Sequence, residues 1–203
     1  MEKILIYGSR DFAKILKNLV KECSLNFAGF ISDLDKGDNI VGNLLTVKKK
    51  FNPNEYKIIN GLGYSDLRNR WKIYEEIVSA GFDVPNLIHP KAIISDSVKI
   101  GKGSIFMAGS IIDFNTKIKD LSVFWPGVVV NHDCIIGKNN FLSPNCTICG
   151  FVNIGNNCFI GAGTTIADHI SIGNNMFIKA GRIICKKNLD NKNYCIGWNY
   201  EKN

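Results

Sequence analysis

The chain has 203 residues, 45% of them hydrophobic and 21% charged, with a net charge of +7 at pH 7. That is enough apolar material for a packed core in one domain or two small ones. No run of eighteen apolar residues occurs and no signal peptide precedes Met1-Glu2-Lys3, so no membrane span is expected and a cytoplasmic location is. The lysines are scattered, with short runs only at Lys48-Lys49-Lys50 and Lys186-Lys187. That spread argues against a nucleic-acid surface, and the basic balance suits anionic small molecules such as coenzyme A or a nucleotide sugar.

Lys3 to Gly8 is a continuous apolar run ending at glycine, the pattern of a buried parallel strand. Asp11 to Cys23 then spaces Phe12, Ile15, Leu16, Leu19 and Val20 as an amphipathic helix does. Phe27 to Ser32 reads as a second strand and Tyr56 to Asn60 as a third. Ser65 to Ala80 reads as a second helix capped by Ser65, with Asp66 in its first turn. Strand, helix, strand, strand, helix predicts a small Rossmann-like α/β unit over residues 1–83. Its first βα turn, Gly8-Ser9-Arg10-Asp11-Phe12, lacks the GxGxxG dinucleotide fingerprint. An Arg and a helix N-terminus at a strand end suit a phosphate, and equally suit an ordinary turn with a capping Asp.

Beyond Val84, every sixth residue from Ile94 to Ile184 is aliphatic or Phe, without insertion. A helix of period 3.6 or a strand of period 2 cannot hold such a stripe on one face. A six-residue period predicts a parallel β-helix over residues 84–187, with three short rungs per coil of eighteen residues. A second inward row lies two residues before each aliphatic one and is mostly small, and three residues after it stand corner glycines and asparagines such as Gly109, Asn139 and Gly163. Residues 188–203 leave the register and are expected to cap the open end.

Seven cysteines are present, and Cys134, Cys146 and Cys158 fall on the small inward row, so free core thiols are expected rather than disulfides or metal ligands. The three histidines differ in setting. His89 precedes Pro90 at the junction and suits packing or hydrogen bonding. His169 suits a surface turn. His132 stands beside Asp133, a pair that can fix one imidazole tautomer and serve as a general base, or simply build a corner; spacing alone favours neither.

The rungs resemble those of hexapeptide-repeat acyltransferases, which implies a left-handed coil and a homotrimer. The turn Ile6-Tyr7-Gly8-Ser9-Arg10-Asp11-Phe12, Ser32-Asp33, Gly61-Leu62-Gly63 with Asp66-Leu67-Arg68, Asn86-Leu87-Ile88-His89-Pro90 and Val130-Asn131-His132-Asp133-Cys134 narrow this. Together they resemble the sialic acid and nucleotide-sugar O/N-acetyltransferases, most of all those acting on UDP- or dTDP-linked 4-amino-4,6-dideoxy sugars. The resemblance implies an acetyl-CoA-dependent N-acetyltransferase without a metal, with His132 as general base and Asp133 as its assisting acid. It places the nucleotide sugar on Arg10, Asp11, Phe12, Ser32, Asp33 and Gly63, and acetyl-CoA along Gly150, Ala162 and Ala180. Phe141 stands where relatives carry a His near the thioester, and Trp125 where some have Asn, which suits sugar stacking or closure of the acyl pocket. Rival readings are O-acetylation of sialic acid or another sugar hydroxyl, a noncatalytic β-helix scaffold, and a zinc β-helix, which would need convergent His ligands.

Overall fold

The computed structural model describes residues 2–185, and the chain divides into two compact units, Met1–Pro90 and Lys91–Asn203. The expected capping tail, 188–203, lies outside the described residues.

The first unit is a parallel sheet with three helices. Its strands are β1 (Lys3–Tyr7), β2 (Asn26–Ile31), β3 (Ile40–Gly42) and β4 (Tyr56–Asn60), in the order β3-β2-β1-β4. Strand β1 is central, and Ile4, Leu5 and Ile6 are fully buried, which explains why its sequence is apolar without alternation. Helix α1 (Asp11–Glu22) buries Ala13, Leu16, Leu19 and Val20. Ile15, expected in that stripe, is 39% exposed, and Ala13 takes the inward place.

Strand β3 and helix α2 (Leu44–Lys50) were not expected. Helix α2 is seven residues long and ends in Lys48, Lys49 and Lys50, so its sequence reads as a solvated basic run. Asn43 caps it by accepting the Thr46 N–H at 2.8 Å, and the lysines sit where the helix dipole favours cations. Helix α3 (Leu67–Ser79) follows a single 3₁₀ turn at Tyr64–Asp66. Its cap is Asp66, whose carboxylate accepts the Asn69 N–H at 2.9 Å, and not Ser65. A two-residue strand, β5 (Leu87–Ile88), stands near the end of the unit.

The second unit is the solenoid. Sixteen two-residue strands, β6 (Ile93–Ile94) to β21 (Ile183–Ile184), recur every six residues among the described ones. In each, the second residue is the expected aliphatic or Phe, and from Phe106 onward it is buried. Each strand pairs in parallel with the one eighteen residues on, as Val129↔Thr147 and Val130↔Ile148 do, which closes three flat faces. A fully buried Ile in this column contributes roughly 1.5–3 kcal/mol.

The second inward row shows how polar residues enter such a core. Hydroxyls of Thr116 and Ser122, the thiols of Cys134, Cys146 and Cys158 and the Asn140 amide each donate to a carbonyl fifteen residues later. The distances for the thiols are 3.1 to 3.2 Å. The backbone at each corner thus satisfies a small donor pointing into the coil.

The corners share one strained conformation. From Gly103 to Gly181, every sixth residue has positive φ, between 55° and 72°. Most are Gly or Asn, which accept it readily. On one edge Asn139 donates to Asn157 at 2.8 Å and Asn157 to Asn175 at 3.2 Å, a ladder of stacked amides.

Candidate active site

The solenoid's corners are not equivalent. Along the edge that follows the strands Val129–Val130, Thr147–Ile148 and Thr165–Ile166, the positive-φ positions are Asp133 (55°), Phe151 (59°) and His169 (59°). Asp and His enter that region more readily than most residues, but Phe there costs about 1–2 kcal/mol. Strain of this kind marks a place where side-chain identity matters more than backbone ease.

His132 sits on this edge, with Nδ1 3.0 Å from Asp133 Oδ2. With Nδ1–H donating to the carboxylate, Nε2 carries the lone pair, which is the tautomer a general base needs. Three neighbours seat the ring. A Cβ on Gly150 would lie 2.7 Å from His132 Cε1, so only glycine leaves room for the imidazole one coil on. Phe114 stacks on the ring at 5.1 Å and 10°, and Phe151 meets it edge-on at 5.3 Å and 87°. His169 in turn stacks on Phe151 at 4.7 Å and 2°, and its Nε2 lies 3.7 Å from Asp168. Phe114, Phe151 and the stacking role of His169 were not anticipated. The eighteen-residue step from Phe114 to His132 would have revealed the first of them.

Trp125, Phe141, Ala162 and Ala180 lie elsewhere on the coil. Ala162 and Ala180 stack on the next edge, where the Gly181 N–H donates to the Ala162 carbonyl at 2.8 Å. Trp125 begins that edge and lies 6.0 Å from Phe141, which stacks with Phe159 on the adjoining face. Of the expected donor-binding residues, the fold therefore brings only Gly150 to His132. Face strands of one rung separate the other three from it.

In the first unit, a cavity of about 340 Å³ opens where β1, β2 and β4 end. Arg10, Asp11, Phe12, Ser32, Asp33 and Gly63, all expected from the sequence, line it together. Tyr7, Ser9 and Asp35 also line it. Tyr7 lies within the β1 run and Asp35 in a polar loop, so neither stood out.

The polar groups of this cavity are held in place. The Tyr7 hydroxyl donates to Asp33 Oδ2, and the Leu44 N–H donates to Oδ1 at 3.1 Å. Burial, and then the bond to Asp33, push the Tyr7 phenol well above its ordinary value, so it stays a neutral donor. Ser9 donates to Asp35, while Ser32 Oγ accepts the Asp35 N–H at 2.9 Å. The floor is fixed by fully buried Arg70, whose Nε donates to the Leu62 carbonyl at 2.9 Å. Asn60 adds a bond from its amide to the Arg70 carbonyl and accepts the Leu62 N–H. Carboxylates at a strand end suit ribose hydroxyls, and the α1 N-terminus beside them suits phosphate.

Among the described residues no group of three or more His, Cys, Asp or Glu could hold a metal, and no helix is long and apolar enough to cross a membrane. His89, buried, pairs with Glu22 at 3.0 Å, the packing role expected of it.

Residues 115–150 match the bacterial transferase hexapeptide family, six repeats. The solenoid is a hexapeptide-repeat β-helix. Solved structures extend the likeness beyond the repeats. The acetyltransferase domain of PglB from Neisseria gonorrhoeae is 26% identical with a TM-score of 0.87, over 94% of both chains. PerB from Caulobacter crescentus, solved with CoA and GDP-perosamine, is 27% identical with a TM-score of 0.84, over 92% of this chain and 90% of its own. WeeI from Acinetobacter baumannii, 21% identical with a TM-score of 0.68 over 91% and 94%, shares the fold. Comparison with curated proteins found no match. The expected likeness of this hexapeptide-repeat chain to sugar acetyltransferases is borne out, and with it the acyltransferase reading.

Proposed function

We propose that the chain is an acetyl-CoA-dependent N-acetyltransferase acting on the amino group of a nucleotide-linked amino sugar. The observation that carries this reading is the His132 ring, held at Nδ1 by Asp133 and seated over Gly150 on a strained, exposed edge of the coil. The nearly full-length likeness to PglB's acetyltransferase domain and to PerB supports the same reaction.

In this reading the first unit is a Rossmann-like nucleotide binder over residues 1–83. Ser32 and Asp33 hold the ribose or base, and Arg10 with the α1 N-terminus holds the phosphates. The amine attacks the thioester carbonyl of acetyl-CoA. His132 Nε2 takes the proton that the amine loses, Asp133 stabilises the resulting imidazolium, backbone N–H groups receive the oxyanion, and coenzyme A leaves as thiolate. The reading assigns no step to a cysteine, and burial pushes the inward Cys134 and Cys146 thiols up to about 11, away from thiolate.

The donor is assigned to Gly150, Ala162, Ala180 and Phe141. Because Gly150 lies on one edge of the solenoid and Ala162 and Ala180 on another, the reading includes a homotrimer in which a neighbour's edge completes the donor groove. A left-handed coil and a cytoplasmic setting belong to the same reading. The proposed acceptor is a UDP- or dTDP-linked 4-amino-4,6-dideoxyhexose, and the GDP-perosamine held by PerB adds the guanosine-linked sugar to those worth testing.

The test is mass spectrometry of products formed from acetyl-CoA and each of these three sugar nucleotides. A product heavier by one acetyl group, with turnover roughly 10²–10⁴-fold lower in His132→Ala, is expected. Unchanged turnover in the variant would remove His132 from the chemistry.

A further inference from the structure

The histidine edge carries more aromatic surface than the seating of one imidazole requires. Phe114 and Phe151 are 45% and 46% exposed, and they flank the same ring. Phe151 also holds a positive φ of 59°, a position filled by Gly127, Asn139, Asn145 and Gly163 at other corners. Asn there would relieve the backbone and remove an exposed apolar ring, so neither solvation nor backbone ease accounts for Phe151.

We propose that Phe114 and Phe151 form the platform on which the apolar face of the acceptor sugar rests, so that they are positioning and specificity residues for the transfer. This rests on the acetyltransfer reading above. The amine must come within about 2.6–3.2 Å of Nε2 to lose its proton there. Both phenyl rings have centroids within 5.3 Å of the imidazole. A six-membered sugar ring carrying that amine therefore lies against one or both of them, its C–H face on aromatic carbon. His169, stacked on one face of Phe151, sets that ring's tilt. The acetyl donor brings a carbonyl to the amine and needs no such broad apolar surface beside the base.

The experiment uses the full chain and whichever of GDP-perosamine or the UDP- and dTDP-linked 4-amino-4,6-dideoxyhexoses the wild type turns over fastest. Phe151→Asn is the primary variant, because Asn takes the same φ at Asn145 and Asn157. Phe114→Ala is the second. Each is expected to raise the KM for the sugar nucleotide roughly 3- to 10-fold, the loss of one aromatic contact, with the KM for acetyl-CoA unchanged and thermal stability of Phe151→Asn equal to wild type or higher.

A fall in kcat with a shifted pH profile and an unchanged acceptor KM would mean that the rings only brace His132, and would overturn the platform. A raised KM for acetyl-CoA instead would assign the rings to the donor and overturn it as well. Wild type that acetylates none of the three sugars would overturn the acetyltransfer reading itself. Wild-type turnover with unaltered variants would overturn the platform alone.

Discussion

Gly150 is the sharpest test of how His132 is held. An added Cβ would meet the imidazole at 2.7 Å, and the imidazole is a rigid ring already tied at Nδ1, so the ring and not the backbone must move. Gly150 is outside the positive-φ set, so alanine costs the backbone nothing there. Gly150→Ala should keep its unfolding midpoint while kcat drops by roughly 10²-fold, the penalty for a shift of about 1 Å in a reacting group. Unchanged kcat at saturating substrates would show that the ring seat is not needed. Asp133→Asn keeps a residue at ease with the 55° φ and removes only the carboxylate. Its kcat should fall less than that of His132→Ala, and equal losses would mean that the pair acts as one unit. The His132-Asp133 pair was visible in the sequence because a histidine beside an acid is a compact signal. Phe114 was legible only through its eighteen-residue step to His132, and Phe151, nineteen residues past His132 and pointing outward, carries no mark of the inward stripe.

The corners translate residue identity into the stability of each edge. Asn157 sits in the middle of its ladder, accepting from Asn139 and donating to Asn175, at a φ of 56°. Asn157→Ala loses both bonds and adds the positive-φ cost, which should destabilise the fold by about 2–3 kcal/mol. Asn157→Gly loses the same bonds without the backbone cost and should destabilise it by about 1–2 kcal/mol. Urea titration of both variants reads the difference, and equal losses would show that backbone strain has no part in it. Corners of Gly and Asn are readable because those residues announce positive φ, whereas Leu121, Asp133, Phe151 and His169 adopt it under the pull of the rungs on either side. Short elements hide for the opposite reason. Helix α2 has only two buried residues, Leu44 and Val47, so no periodic stripe can form, and its Asn43 cap is one polar residue among many.

Across the molecule, the solenoid was readable because one period governs everything: inward columns, corners and pairing all repeat at six and eighteen residues. The small inward row was readable only as small. That its members are hydrogen-bond donors to carbonyls of the next coil follows from the coil's geometry, which a sequence does not show. This row makes stability depend on alkaline pH. Burial pushes the Cys134 and Cys146 thiols up to about 11 from an ordinary 9.0. A raised pKa means that the folded state resists ionisation while the unfolded thiol ionises freely, so the unfolded state binds fewer protons between the two values. The contribution is whole below pH 9, declines as pH rises toward 11, and amounts to about 2–3 kcal/mol per thiol at most. Tyr7, likewise raised, adds to the loss above pH 10. Replacing both thiols in Cys134→Ala, Cys146→Ala sacrifices two Sγ–H bonds to carbonyls and should lower stability at pH 7, while flattening the decline between pH 8 and 11 relative to wild type. Denaturation under reducing conditions across that range measures both slopes, and parallel declines would show that the buried thiols do not set the alkaline limit.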